Sequence, residues 1–210
     1  MSHGWEERQR RTRAEILQAA GELIAAHGVE GLTMRKLADR AGVAVATLYN
    51  QFDDRSGVIA AFVGNGLDEL EIELDEQPAE PPIAATRALL AGLDTTVSAD
   101  DSVWKPVLAT LRSNPTSDRM GQVGERIIAS IEADLSKARA EGMFVAHIDT
   151  DRVARHLFIQ KMRGLERWAY GMIDWETYHH STLLGTEMIL AAVLAEPHRT
   201  DALRRAGVVA

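Results

Sequence analysis

The sequence predicts an all-α protein, on three observations. No stretch alternates apolar and polar residues long enough for a half-buried strand. Ala, Leu, Glu and Arg dominate, and the apolar residues recur at helical spacing. The chain has only 6 Pro, and its 16 Gly fall mostly where helices would end. Hydrophobic residues make up 46% of 210, enough for a sizeable core.

Each helix has local reasons. The first runs from about residue 7 to His27, with Ile16, Leu17, Ala20, Leu23 and Ile24 as its apolar stripe and Gly28 as its C-terminal cap. Thr33 is a good N-cap for the short helix "MRKLADRA", which Gly42 ends. A second short helix follows, from about Val45 to Gln51. Asp53 or Asp54 caps a longer one that runs to about Glu76. "QPAEPP" at 77–82 is the clearest linker, because Pro cannot continue a helix. Five more helices are expected. They cover about 83–97, from "ADDSVWKP" to "SNPTS", about 117–141, 150 to near Gly171, and 175 to about Ala195. "DTDR" at 149–152 and Asp174 cap the last two, and the tail from 198 is expected to fray. This makes about nine helices in all.

The composition removes several classes of protein. Without cysteine there is no disulfide, thiolate nucleophile or Cys-based metal site, as suits a reducing compartment. The polar N-terminus lacks a secretory signal core, and no run of about 18 apolar residues suggests a membrane span. A cytoplasmic protein is expected. The net charge of −8 is unevenly spread. Residues 1–57 hold eight Lys/Arg and eight Asp/Glu, whereas the remainder holds 15 and 23. Arg8, Arg10, Arg11 and Arg13 cluster at the start, a pointer to a polyanion or simply a solvated helix end.

The two short helices joined by a Gly turn suggest a helix-turn-helix. Ala38 is small enough for close backbone approach, and Gly42 four residues later permits the sharp turn. Leu37, Ala41, Val43, Leu48 and Phe52 are placed to face a three-helix core. The opposite face carries Ala44, Val45, Ala46, Thr47, Tyr49 and Asn50, with no charge at all. An uncharged face of small residues suits a major groove about 12 Å wide. Ala methyls can touch the thymine methyl and Asn50 can pair with adenine. The Thr47 and Tyr49 hydroxyls, Thr33 with the amides behind it, and Arg55 are candidate phosphate contacts. Arg35 is the candidate for a bidentate guanine contact. An ordinary helical hairpin rarely combines these residues at these offsets.

"LTMRKLADRAGVAVATLYNQFDDRSGVI" resembles the DNA-binding region of TetR-family transcriptional repressors. Its carriers are Thr33, Gly42-Val43, Leu48-Tyr49, Asn50-Gln51, Phe52 and Arg55, and the preceding "ILQAAGELIAAHGVEGLTM" matches the family's first helix and link. The likeness covers about 13–60. Ala44 stands where many members have Ser, and Gln51 where His is common, so no operator sequence carries over. The resemblance implies a helix-turn-helix domain at 7–57, a helical effector-binding and dimerisation domain at 58–197, and a tail at 198–210. Its expected partners are a double-stranded DNA operator, a second copy of the chain and a small-molecule effector.

The second part supports those expectations only loosely. Leu165 on one helix, with Leu183, Leu184, Met188, Leu190 and Leu194 on the last, offers more apolar surface than one core stripe needs, suggesting a dimer seam. Trp104, Leu108, Met120, Ile127, Phe158, Met162 and Trp168 are candidates to line a pocket for a largely apolar effector, although such residues are often plain core. Arg112, His147, His156 and Lys161 are candidate polar anchors, each expected at the surface. The adjacent His179 and His180 point different ways on a helix, so no metal pair is assigned, and no cofactor is implied. Two alternatives differ in class. A helical enzyme finds no nucleophile-base pair, carboxylate dyad or phosphate loop in the sequence. A constitutive DNA-binding protein would need no cavity.

Overall fold

The computed structural model describes residues 3–75, 83–113, 118–145 and 148–210. The expected linker at 77–82, most of "SNPTS" and His147 lie outside them. The described residues form ten helices: α1 (His3–Gly31), α2 (Met34–Ala41), α3 (Val45–Phe52), α4 (Arg55–Asp75), α5 (Ala84–Ser98), α6 (Asp101–Ser113), α7 (Asp118–Ala140), α8 (Thr150–Ala169), α9 (Trp175–Val193) and α10 (His198–Arg205). No strand occurs among them; a single antiparallel bridge joins Phe144 and Leu194. No helix of the described residues is long and apolar enough to cross a membrane.

The expected helix ends are met by specific groups. Gly28 interrupts α1 with φ 66°, ψ 175°. The Asp54 carboxylate accepts the Gly57 N–H at 2.7 Å, so Asp54 rather than Asp53 caps α4. Asp149 accepts from the Arg152 amide and Asp174 from the Thr177 amide. One expectation fails. The segment after Pro197 does not fray but forms α10, which packs on α9 with Ala202 fully buried. Pro is well suited to the start of a helix, where its missing N–H costs nothing. Glu196 then accepts from the Thr200 amide at 3.2 Å and hydroxyl at 2.7 Å.

The chain divides into two compact units. The first comprises residues to Asp68 together with Val97–Val123, the second Glu69–Thr96 with Gly124–Ala210. In the first, α1 packs on α2 and α6, and α2 on α3. Ile16, Ile24, Leu37, Leu48, Phe52 and Val107 form its fully buried centre. In the second, Ile131 and Leu135 of α7 and Leu157 of α8 are fully buried. The Asp134 carboxylate accepts the Ile83 and Thr86 amides at 3.0 and 2.9 Å and the Thr86 hydroxyl at 2.7 Å, fixing the start of α5.

Helices α8 and α9 approach closely at Gly164. A Cβ there would stand 2.8 Å from the ring of Tyr178, which is fully buried. Gly164→Ala gains up to about 1 kcal/mol of helix propensity but overpacks the contact at a cost of about 1–3 kcal/mol. A net loss on the order of 1 kcal/mol is expected, read as a lower midpoint in urea unfolding.

Candidate functional site

Two places in the fold gather groups with chemistry to do. The first is the surface of α2 and α3 within the first unit. Thr33 is extended at φ −117°, ψ 150°, and its hydroxyl accepts the Lys36 amide at 3.2 Å. Gly42 takes the left-handed conformation (φ 66°, ψ 30°) that a sharp exit from α2 requires. Its amide and that of Val43 both return to the Ala38 carbonyl, turning the chain into α3.

Helix α3 is seated by Leu48 and Phe52, both fully buried. Ala44, Val45, Ala46, Tyr49 and Asn50 are exposed, with Tyr49 50% accessible, and Thr47 is half-buried. Thr33 and Arg35 are also exposed. Ala44 is the N-cap residue, and no side chain caps the helix there. The Thr47 amide is instead bonded to the Ala44 carbonyl at 2.9 Å. Helix α3 is braced from behind. Arg40 of α2 bonds Glu22 of α1 at 2.9 Å, and the Arg13 guanidinium lies 4.7 Å from the centroid of the Phe52 ring.

Arg55 is placed differently from the free phosphate ligand expected. Its guanidinium is held in a fork by Glu30, at 3.1 and 3.0 Å. The same contact holds the Glu30 carboxyl below its ordinary value. Glu30 is largely exposed, so the pair is cheap to open.

The second place is a cavity of about 290 Å³ in the second unit, between α5, α8, α9 and α10. Leu90, Ala91 and Leu183 give it an apolar side. Asp94 of α5 and Lys161 of α8 line it as a buried ion pair, and Lys161 is only 1% exposed. The Tyr178 hydroxyl donates to the same Asp94 oxygen. Burial pushes the Lys161 ammonium below its ordinary pKa, with Asp94 opposing part of the shift. Burial, then Asp94, pushes the Tyr178 hydroxyl well up. Arg87 and Glu187 form a second, bidentate pair at 2.8 and 2.7 Å, with Glu187 2% exposed. Thr182 and Thr186, both buried, with His179 and Arg205, complete the lining. Arg205 is itself paired with Asp201 at 2.9 Å.

None of the seven apolar pocket candidates lines this cavity. Trp104, Leu108 and Met120 belong to the first unit, where Trp104 and Leu108 are buried and Trp104 stacks on Phe62 at 5.4 Å. Ile127, Phe158, Met162 and Trp168 belong to the second, with Ile127 and Trp168 buried and Phe158 and Met162 half-buried. Lys161 is a correction, since it lies in the core and not at the surface. Its sequence signal was its register: it falls on the stripe of Ala154, Leu157, Leu165 and Trp168, all buried. His156 is exposed, and the side chain of Arg112 is outside the described residues. Of the six seam candidates, Leu165, Leu190 and Leu194 are buried within their own unit, while Leu183, Leu184 and Met188 are each 44% exposed.

The first unit thus carries a helix-turn-helix, and the second is built of helices among the described residues. Residues 16–62 match the family model described as "Bacterial regulatory proteins, tetR family". An HTH-type transcriptional regulator of Mycobacterium tuberculosis is 26% identical over 133 residues, 62% of this chain and 68% of that protein. A TetR transcription regulator from Haloarcula marismortui superposes with a TM-score of 0.72 at 22% identity, over 89% of this chain and all of the other. SmeT, the repressor of the Stenotrophomonas maltophilia multidrug efflux pump SmeDEF, does so with a TM-score of 0.67 at 22% identity, over 89% and 92%; it has also been solved as a complex with triclosan. The match to the TetR family model spans residues 16–62, and the solved structures share the fold over most of the chain.

Proposed function

We propose that the chain is a dimeric repressor that reads an inverted-repeat operator with two copies of α3 and is released by a small-molecule effector. The observation that carries the reading is the outward face of α3, uncharged and exposed above a fully buried Leu48 and Phe52. A solvated surface helix would carry Lys and Glu there; a helix that sits deep in a groove needs small side chains.

The dimer follows from reading two half-sites about 34 Å apart, and the exposed Leu183, Leu184 and Met188 offer apolar surface for it. The cavity in the second unit favours an effector over constitutive binding, and the triclosan complex of SmeT is a parallel. An effector that binds one conformation better shifts the population towards it and so changes the spacing of the reading heads. Helices α4, α5 and α7 each run from one unit into the other along the chain, which makes them the route for that change.

Selection of fragments from a random DNA pool by the purified protein, at near-physiological salt, should enrich an inverted repeat. Enrichment of nothing would remove the operator reading. On the enriched site, Tyr49→Ala should weaken binding about tenfold, in the range of one lost contact of about 1–3 kcal/mol. The helical content and unfolding midpoint should not change, because the ring is half exposed. Unchanged affinity would count against this docking of α3.

A further inference from the structure

We infer that the cavity between α5, α8, α9 and α10 takes a small molecule that is neutral overall, carries hydroxyl groups and presents an apolar face to most of the wall. The inference rests on the second unit being the effector-binding part of the regulator, and it assigns that effector a chemical class.

The argument starts from charge. The carboxylates and cations of the lining come in pairs: Asp94 with Lys161, and Glu187 with Arg87. Arg205 is matched by Asp201. An anionic ligand drawn to Lys161 or Arg87 meets the Asp94 or Glu187 carboxylate beside it. A cationic ligand meets the reverse. Either gains full attraction only by separating a pair whose members are already desolvated, and separation leaves a buried charge without its counter-ion.

A hydroxyl escapes this conflict, because it is donor and acceptor at once. Placed beside an ion pair it donates to the carboxylate and accepts from the ammonium or guanidinium, leaving the pair closed. Lys161 has three N–H donors, and carboxylate oxygens accept more than one bond. The buried Thr182 and Thr186 hydroxyls line the same space and are groups of the same dual kind. The Leu90, Ala91 and Leu183 side chains match a C–H face or short alkyl group. A volume of about 290 Å³ lies at the lower end of ligand pockets. The occupant is therefore of monosaccharide size. A wholly apolar effector would leave the remaining bonding capacity of the two ion pairs and of the lining Thr182 and Thr186 unused.

Ligand-observed NMR and calorimetry on the full chain, without DNA, test the class. The probes are n-butyl β-D-glucopyranoside and myo-inositol as neutral hydroxylated molecules, glycine betaine as a zwitterion and hexanoate as an anion. Saturable binding of the glucoside is expected, tighter than that of betaine or hexanoate. Thr186→Val removes one lining hydroxyl at nearly constant shape and should weaken it about tenfold. Ala91→Phe, at an exposed position on α5, should abolish it by filling the cavity without disturbing the core. No saturable binding of either hydroxylated probe, a preference for betaine or hexanoate, or binding indifferent to both variants would overturn the inference. Displacement from the enriched operator is measured separately. Glucoside binding without displacement would leave the site standing and remove the effector role, so the two failures are distinct.

Discussion

Lys161→Met is expected to destabilise the protein by about 3–5 kcal/mol, the cost of breaking a buried pair by removing one partner. Met matches the length of the lysine stem, so the loss is electrostatic rather than a cavity. Asp94 would keep the Tyr178 hydroxyl but lose its counter-ion in the core. The double variant Lys161→Met/Asp94→Asn should recover most of the loss, since Asn still accepts from Tyr178 and leaves no charge uncompensated. Urea unfolding of wild type, both singles and the double closes the cycle. Additive losses would mean that the two side chains do not act as a pair. The pH dependence has a defined sign. Because burial lowers the Lys161 pKa from its ordinary 10.5 in the folded state, the folded protein binds fewer protons than the unfolded one between the two values. The penalty for keeping Lys161 charged is present in full below the lowered value and fades as pH rises towards 10.5. Wild type thus gains stability from this group over that window, and Lys161→Met lacks the gain.

The contrast between what the sequence disclosed and what it hid has a physical origin. The α2–α3 unit was legible because its signals are local: the Thr33 hydroxyl caps an amide three residues on, and Gly42 supplies a conformation that other residues resist. The buried ion pairs were not legible, because Lys161 and Asp94 lie on different helices and a lysine on its own reads as surface. Only its position in the α8 stripe marked it as a core residue needing a partner. Helix α9 misled for the opposite reason. Counting leucines finds an apolar helix, but the residues it buries are Tyr178, Thr182, Thr186, Glu187, Leu190 and Ala191. Arg55 looked available for phosphate because nothing in its own neighbourhood announces Glu30. Pro197 looked like an end, and it is the start of α10.

That arrangement of α9, with Thr182, Thr186 and Glu187 inward and Leu183, Leu184 and Met188 outward, leads to the second large effect. Leu183, Leu184 and Met188 remain 44% exposed while Glu187, between two of them in sequence, is buried. Ile159 on α8 is 54% exposed. Exposed apolar side chains gathered on one helix are candidate contact surface. A second copy presenting the same face to itself would cover them with two-fold symmetry, and each copy would bring one reading helix. Leu184→Glu places two like charges near the axis of that seam without touching the buried Leu190 or Ala191. Sedimentation should then show a monomer at concentrations where wild type is a dimer. Affinity for a two-half-site operator should fall at least a hundredfold, because one reading head binds alone. Circular dichroism should be unchanged, since position 184 is exposed in the isolated chain. A Leu184→Glu protein that still sediments as a dimer would move the seam elsewhere. One that is monomeric yet binds the full operator undiminished would break the link between pairing and reading on which the repressor proposal stands.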